Sequence, residues 1–327
     1  MGIKKCIISV TPSLVINVTQ YCNLQCSYCP PYGENLCEGN ANYDLAAVLE
    51  VVQCAKQAGF RMLRLTGGEP LLEPVRTQSI LSIAKNSFQR LVLNTNGVEL
   101  SSALEWLLCY RANITLKVSL DTIFPDEYAY ITKYRVLDKV LDGIHCAEEM
   151  GFSVEINTVL TTQNVESLLA TIAFAVQHGF HIKLLTESSF YGNIKPVDSN
   201  VLNELIAHLD RLYILEEPET LIGNRGISML TYRAGNSKIQ IVDHTTHLSL
   251  TPNRTYFVDC SKNCNQFPCD FGAISLSVST DGVLTPCRGR KDLGQIIFGK
   301  APLEIRKSFH MILEQYNYCI NINVNNL

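Results

Sequence analysis

Six short runs rich in aliphatic and β-branched residues recur through the first two thirds of the chain, each followed by a longer segment of helical periodicity, and this alternation limits the fold more than any other feature. The β-type runs are Leu14 to Thr19, Met62 to Thr66, Arg90 to Asn94, Ile114 to Leu120, Ser153 to Leu160 and His181 to Thr186. Between the first two, Asp44 to Ala58 sets Leu45, Val48, Leu49 and Val52 on one helical face. Gly59 and Gly151 follow helical patterns, where a glycine stops a helix. Six βα units in succession predict an α/β fold with a parallel sheet, and fit a partial (β/α)6 barrel of the TIM type at least as well as an open doubly wound sheet. In either, the site belongs at the carboxy-terminal ends of the strands.

Near Pro218 the alternation stops. The remainder of the chain reads as short strands at Gly226 to Tyr232, Lys238 to Val242 and Ile274 to Val278, with a late helix at Ala301 to Gln315. The expected division is a barrel over residues 1–217 and a small α+β module over residues 218–327. With 46% hydrophobic and 18% charged residues the chain has the balance of a packed protein, which excludes fibrous and disordered classes. A net charge of −4 gives no electrostatic footprint for nucleic acid or an anionic membrane. No apolar run reaches the roughly 18 residues of a membrane span, and Met1 to Ser9 lacks the features of a secretion signal. The expected location is cytoplasmic. In a reducing compartment, 13 cysteines point to metal or cluster ligation rather than disulfides.

Cys22, Cys26 and Cys29 fall in the loop after the first strand. Three thiolates cannot complete a four-thiolate zinc site, and no histidine lies near in sequence to help. They can hold three irons of a [4Fe–4S] cluster and leave the fourth open. With Tyr28 just before the last cysteine, this segment resembles the signature of the radical S-adenosylmethionine (SAM) superfamily. The resemblance implies SAM chelated at the open iron and cleaved by one electron to a 5′-deoxyadenosyl radical. It extends to Gly67, Gly68, Glu69 and Pro70 at the end of the second strand, which in the family receive the SAM amino group. Asn96, Ser119, Asp121 and Ser188, near the ends of later strands, resemble family positions lining the SAM pocket, and Arg64, Thr95, Glu155 and Asn157 are candidate substrate residues. Apart from the resemblance, turn chemistry and helix capping account for several of these residue types equally well.

A second group, Cys260, Cys264, Cys269 and Cys287, lies in the carboxy-terminal part. Asp281-Gly282 between apolar runs signals a hairpin, so that Cys287 leaves its second strand. The spacing resembles a SPASM or twitch extension, which implies an auxiliary [4Fe–4S] cluster; structural zinc is the competing reading.

Across nearly the whole chain the resemblance is to the GTP 3′,8-cyclase group of molybdenum-cofactor biosynthesis, through Arg64 to Leu72, Val118 to Asp121 and Ile156 to Val159. The departures are in the cations a triphosphate requires. Val15 and Glu155 stand where that group has an arginine and a lysine, and Ala273 to Val278 replaces an arginine-rich strand; Arg64 is retained. A carboxylate at 155 is expected to repel phosphates. The expected substrate is therefore a small natural-product or cofactor precursor such as a sugar or nucleoside, with a ribosomal peptide side chain or GTP as alternatives. An iron–sulfur electron-transfer or sensor protein is the non-enzymatic alternative. With 21 residues ahead of Cys22, no leader-peptide domain is expected there. A reductase such as flavodoxin or ferredoxin is the implied protein partner.

Overall fold

Each expected βα strand forms, within one residue at either end. The computed structural model describes residues 13–29, 43–186, 197–216, 229–242, 253–257, 260–264, 275–287, 293–316 and 319–323. In chain order these build β1 (Leu14–Thr19), α1 (Leu45–Gln57), β2 (Met62–Gly67), α2 (Pro74–Ala84), β3 (Arg90–Thr95), α3 (Leu100–Leu107), β4 (Ile114–Ser119), α4 (Pro125–Thr132), α5 (Leu137–Glu149), β5 (Ser153–Leu160), α6 (Leu168–Gln177), β6 (His181–Thr186) and α7 (Ser199–Leu212). The later elements are β7 (Ile214–Leu215), β8 (Leu230–Ala234), β9 (Ser237–Val242), β10 (Asn253–Phe257), α8 (Cys260–Asn263), β11 (Leu276–Val278), β12 (Val283–Thr285), β13 (Gln295–Ile296), α9 (Pro302–Tyr316) and β14 (Cys319–Asn323).

β1 to β6 are neighbours in sequence order and all parallel. Period-two alternation divides their residues between two faces. Leu14, Ile16, Leu63, Leu65, Leu91, Leu93, Leu116, Val118 and Ile156 join the apolar side chains of the helices in one core. The intervening residues, including Asn17, Arg64, Asn94, Lys117, Glu155 and Asn157, stand on the face turned away from the helices. This inner wall is polar because no helix comes to cover it among the described residues.

Helix α1 shows how the sequence sets an element. Asp44 accepts a hydrogen bond from Ala47 N at 2.9 Å as the N-cap. Val48, Val51, Val52 and Ala55 are buried, and Gly59, at φ +91°, takes the chain out of the helix. Onto α1 packs α9, through Ile305, Phe309 and Ile312 at helical spacing. The Phe309 ring meets Phe60 edge-on at 5.2 Å.

The described strands after α7 extend both edges of the barrel sheet, apart from one separate pair. β9 runs parallel to β6 and carries β8 and then β7; β11 runs parallel to β1 and carries β12 and then β13. β10 and β14 form a separate antiparallel pair. The Asp281-Gly282 turn joins β11 to β12 as the sequence suggests, with Gly282 at φ +82° and its α-carbon against the Phe298 ring, where a Cβ would come within 2.2 Å. No described helix is long and apolar enough to cross a membrane.

Candidate active site

The loop that leaves β1 carries Cys22, Cys26 and Cys29 at the carboxy-terminal end of the parallel strands. Its backbone is tied to the end of α4. Gln25 N donates to Thr132 O at 3.0 Å, and Ser27 N to Ile131 O at 2.9 Å. Those carbonyls are available because a helix leaves its last four without an intrahelical partner, and α4 ends where Lys133 turns left-handed at φ +68°. The Ser27 hydroxyl also donates to Gln163 at 3.1 Å. Asn96, at the end of β3, donates to the Cys22 thiol at 3.6 Å and to Asn23 Oδ1 at 2.7 Å. Burial, and then the neighbouring Asp121 and the other two cysteines, push the Cys26 thiol far above its ordinary range. A cationic cluster would relieve that penalty by binding the sulfurs in their deprotonated form.

The Gly67-Gly68 pair is what lets β2 approach this loop. A Cβ on Gly67 would lie 2.3 Å from Thr19 O, and one on Gly68 2.1 Å from Tyr21 O. In that contact Gly68 N donates to Thr19 O and Glu69 N to Tyr21 O, both at 2.7 Å. Glu69 is fully buried, and its carboxylate accepts from Leu71 N, the Thr95 hydroxyl and Asn96 N at 2.9, 2.8 and 2.6 Å. Burial outweighs those bonds and pushes it up to about 7. Pro70 begins the short turn after it and accepts from the Thr77 hydroxyl at 2.7 Å. Thr95 also accepts from Gly97 N, so its hydroxyl is engaged within the scaffold.

Tyr28 donates to Asp121 Oδ2 at 2.7 Å, while Asp121 Oδ1 accepts from Val159 N at 2.8 Å. Burial pushes Asp121 up to about 6. Asp121 thus fixes the aromatic of the cysteine motif against β5. Ser119 ends β4 in register with Asn157 on β5. Ser188 lies outside the described residues.

On the inner wall, Glu155 is paired with Lys117 at 2.6 Å and with Arg90 at 2.6 Å. The carboxylate expected to repel phosphates is thus offset by two cations. Lys117 and Lys183, both buried, share that wall with Arg64, and neither lysine belongs to a motif that stands out in the sequence. Strand parity could have found them, since Lys117 falls on the same face as Asn94 and Glu155 and Lys183 on that of Asn157. Asn17, Asn94 and Asn157 each bury an Oδ1 that meets no hydrogen-bond partner among the described residues. Such atoms suit a wall that receives a polar ligand. Val15, level with Arg64 and Ser277, is apolar and buried.

In the carboxy-terminal part, Cys260 opens α8 and Cys264 comes just after it, its N donating to Cys260 O at 3.1 Å. Cys287 lies two residues beyond β12, held by reciprocal bonds with the Thr285 hydroxyl. All three pack against the main core. Cys269 lies outside the described residues.

Comparison with known proteins agrees with this architecture. Residues 16–175 match the family model described as the radical SAM superfamily. A GTP 3′,8-cyclase of Campylobacter fetus subsp. fetus is 27% identical over 85% of this chain and 80% of its own length. A probable GTP 3′,8-cyclase of Archaeoglobus fulgidus is 36% identical over 46% of this chain, and molybdenum cofactor biosynthesis protein 1 of Bos taurus 31% over 55%. The matches span 50% and 29% of those two proteins. Among solved structures, Streptococcus suis SuiB bound to S-adenosylmethionine superposes with a TM-score of 0.64 at 17% identity, covering 91% of this chain and 65% of that one. Native anSMEcpe with bound AdoMet gives 0.59 at 15%, covering 93% and 83%. Superfamily members work with a [4Fe–4S] cluster and SAM, and the thiols of the β1 loop fit that cluster. The family match runs over the same strands that bring the cysteine loop, the Gly67-Gly68 contact and Asn96 together, and residues 16–175 are the part of the chain that carries the radical SAM domain.

Proposed function

We propose that the protein is a radical SAM enzyme acting on a small molecule, with a nucleoside triphosphate of the GTP type as substrate. The inner wall carries this reading. Arg64, Lys117 and Lys183 place cations on it, and the one carboxylate among them, Glu155, is already matched by Lys117 and Arg90. A triphosphate entering the barrel needs such partners, because each buried phosphate oxygen must be paired or hydrogen-bonded. The relatives named GTP 3′,8-cyclase support the same substrate class. Val15 supplies nothing to phosphate, so the lysines carry a larger share.

Bound by Cys22, Cys26 and Cys29, a [4Fe–4S] cluster supplies an open iron for SAM and the electron for its reductive cleavage. The chain's own residues set the geometry. Asn96 orients Cys22; the carbonyls at the end of α4 hold the loop; Gly67 and Gly68 let the β2 backbone press against its start. Ser119 and Ser188 are assigned to SAM, and Asn157 to the substrate. Cys260, Cys264, Cys269 and Cys287 are assigned to a second cluster, which makes residues 218–327 a module defined by its ligands even though its strands share the barrel sheet. A flavodoxin or ferredoxin is the electron donor in this reading, and the location is cytoplasmic.

The test is anaerobic incubation of reconstituted protein with SAM, a strong reductant and GTP. GTP should be consumed in step with 5′-deoxyadenosine, and Lys183→Ala should raise the KM for GTP by roughly 10- to 100-fold, the loss of one charge-assisted contact. Cleavage of SAM without any consumption or binding of GTP would refute the substrate class and leave the SAM chemistry standing.

A further inference from the structure

On the outer surface shared by α5 and α6, three side chains of metal-binding type converge. His145 and Glu148 stand one turn apart near the end of α5, and His178 is the residue that closes α6. Glu148 Oε2 lies 3.1 Å from His178 Nδ1 and 3.8 Å from His145 Nδ1. All three ligand atoms fall within 4.8 Å of one another, and no other trio of His, Cys, Asp or Glu closes so tightly among the described residues.

We propose that His145, Glu148 and His178 bind a divalent transition metal, zinc best suiting the set. Nitrogen and oxygen ligands at about 2.0–2.1 Å in a tetrahedral site stand roughly 3.3 Å apart, and the two observed distances bracket that value. Two imidazoles and one carboxylate are a borderline ligand set that suits zinc rather than calcium or magnesium. The rings are already positioned: Phe180 stacks on His178 at 5.6 Å with 14° between planes, and Phe174 lies 4.8 Å from His178 and 6.0 Å from His145. The two imidazoles sit 4.9 Å apart, close enough to share one ion. Both helices end here, so their carboxy-terminal carbonyls add negative potential. The side chains are 27–43% exposed, which leaves room for water as the remaining ligand. Because α5 and α6 lead into the starts of β5 and β6, the site lies on the face of the barrel opposite the cysteine loop. It joins two successive βα units, a place where residues serve stability rather than catalysis.

The experiment adds Zn²⁺ to anaerobically reconstituted protein, its cysteines committed to iron, and to the same preparation of His145→Ala/His178→Ala. Wild type should take up one more zinc per chain than the variant at equal iron content, and should melt at higher temperature with zinc while the variant does not respond. Glu148→Gln, the milder change, should weaken zinc at least about tenfold. Zinc-edge absorption of the wild-type complex should show a nitrogen and oxygen shell at about 2.0–2.1 Å. Equal zinc uptake by wild type and His145→Ala/His178→Ala, equal zinc affinity of wild type and Glu148→Gln, or a sulfur shell at about 2.3 Å in the wild type, would overturn the proposal.

Discussion

Glu155 shows how far one residue's meaning depends on its neighbours in space. From the chain alone it is a carboxylate where the resemblance to the GTP 3′,8-cyclase group leads one to expect a cation. In the fold it lies between Lys117, whose side chain is 6% exposed, and Arg90. The identity of that position was legible. The compensating partners were not, because Lys117 and Arg90 are 38 and 65 residues away in sequence and meet it only across the parallel register. Glu155→Gln should therefore destabilise the protein by roughly 2–4 kcal/mol, somewhat below the usual cost of stranding a buried charge because Glu155 keeps some solvent contact; urea unfolding measures it. Glu69 gives a pH signature. Its pKa is raised by burial from 4.5 to about 7, so the folded state holds this proton more tightly than the unfolded one. The associated stability is fully present below pH 4.5 and is lost as pH rises through 7. In protein without its cluster, the urea midpoint of wild type should fall more between pH 5 and 7 than that of Glu69→Gln; parallel profiles would contradict the assignment.

The six βα strands were legible because each pairs with its sequence neighbour and carries a clear period. The edge strands were legible only as strands. β11 and β12 are three residues long, too short to declare a register, and β11 pairs with β1 some 260 positions away. Apart from β10 and β14, the described strands of the expected carboxy-terminal module join the edges of the barrel sheet. The clasp of α9 on α1 belongs to the same class of long-range contact. Phe309 is wholly buried against Phe60, so Phe309→Ala should cost about 3–5 kcal/mol by thermal or urea unfolding. Iron bound by the β1 loop should be unaffected in the folded fraction, since α9 touches the barrel away from that loop.

As a molecule, the chain combines a polar barrel interior with cysteines at its mouth and a second set beyond it. The first set was fully legible, because three thiolates in one loop have few structural uses. The anchors that shape the loop, the carbonyls of Ile131 and Thr132, are backbone atoms and leave no mark in the sequence. Two clusters require about eight irons per chain after reconstitution. Replacing Cys269 and Cys287 together should halve that count while SAM cleavage persists, and stoichiometric zinc with unchanged iron would contradict the second cluster. Cys22, Cys26 and Cys29 carry the central claim, and the direct measurement is 5′-deoxyadenosine formed from SAM by anaerobically reconstituted protein under a strong reductant. Wild type should form it, and Cys22→Ala, Cys26→Ala and Cys29→Ala should each abolish it, since two thiolates cannot hold the cluster with its open iron in place; wild-type rates in any of the three variants would contradict that claim.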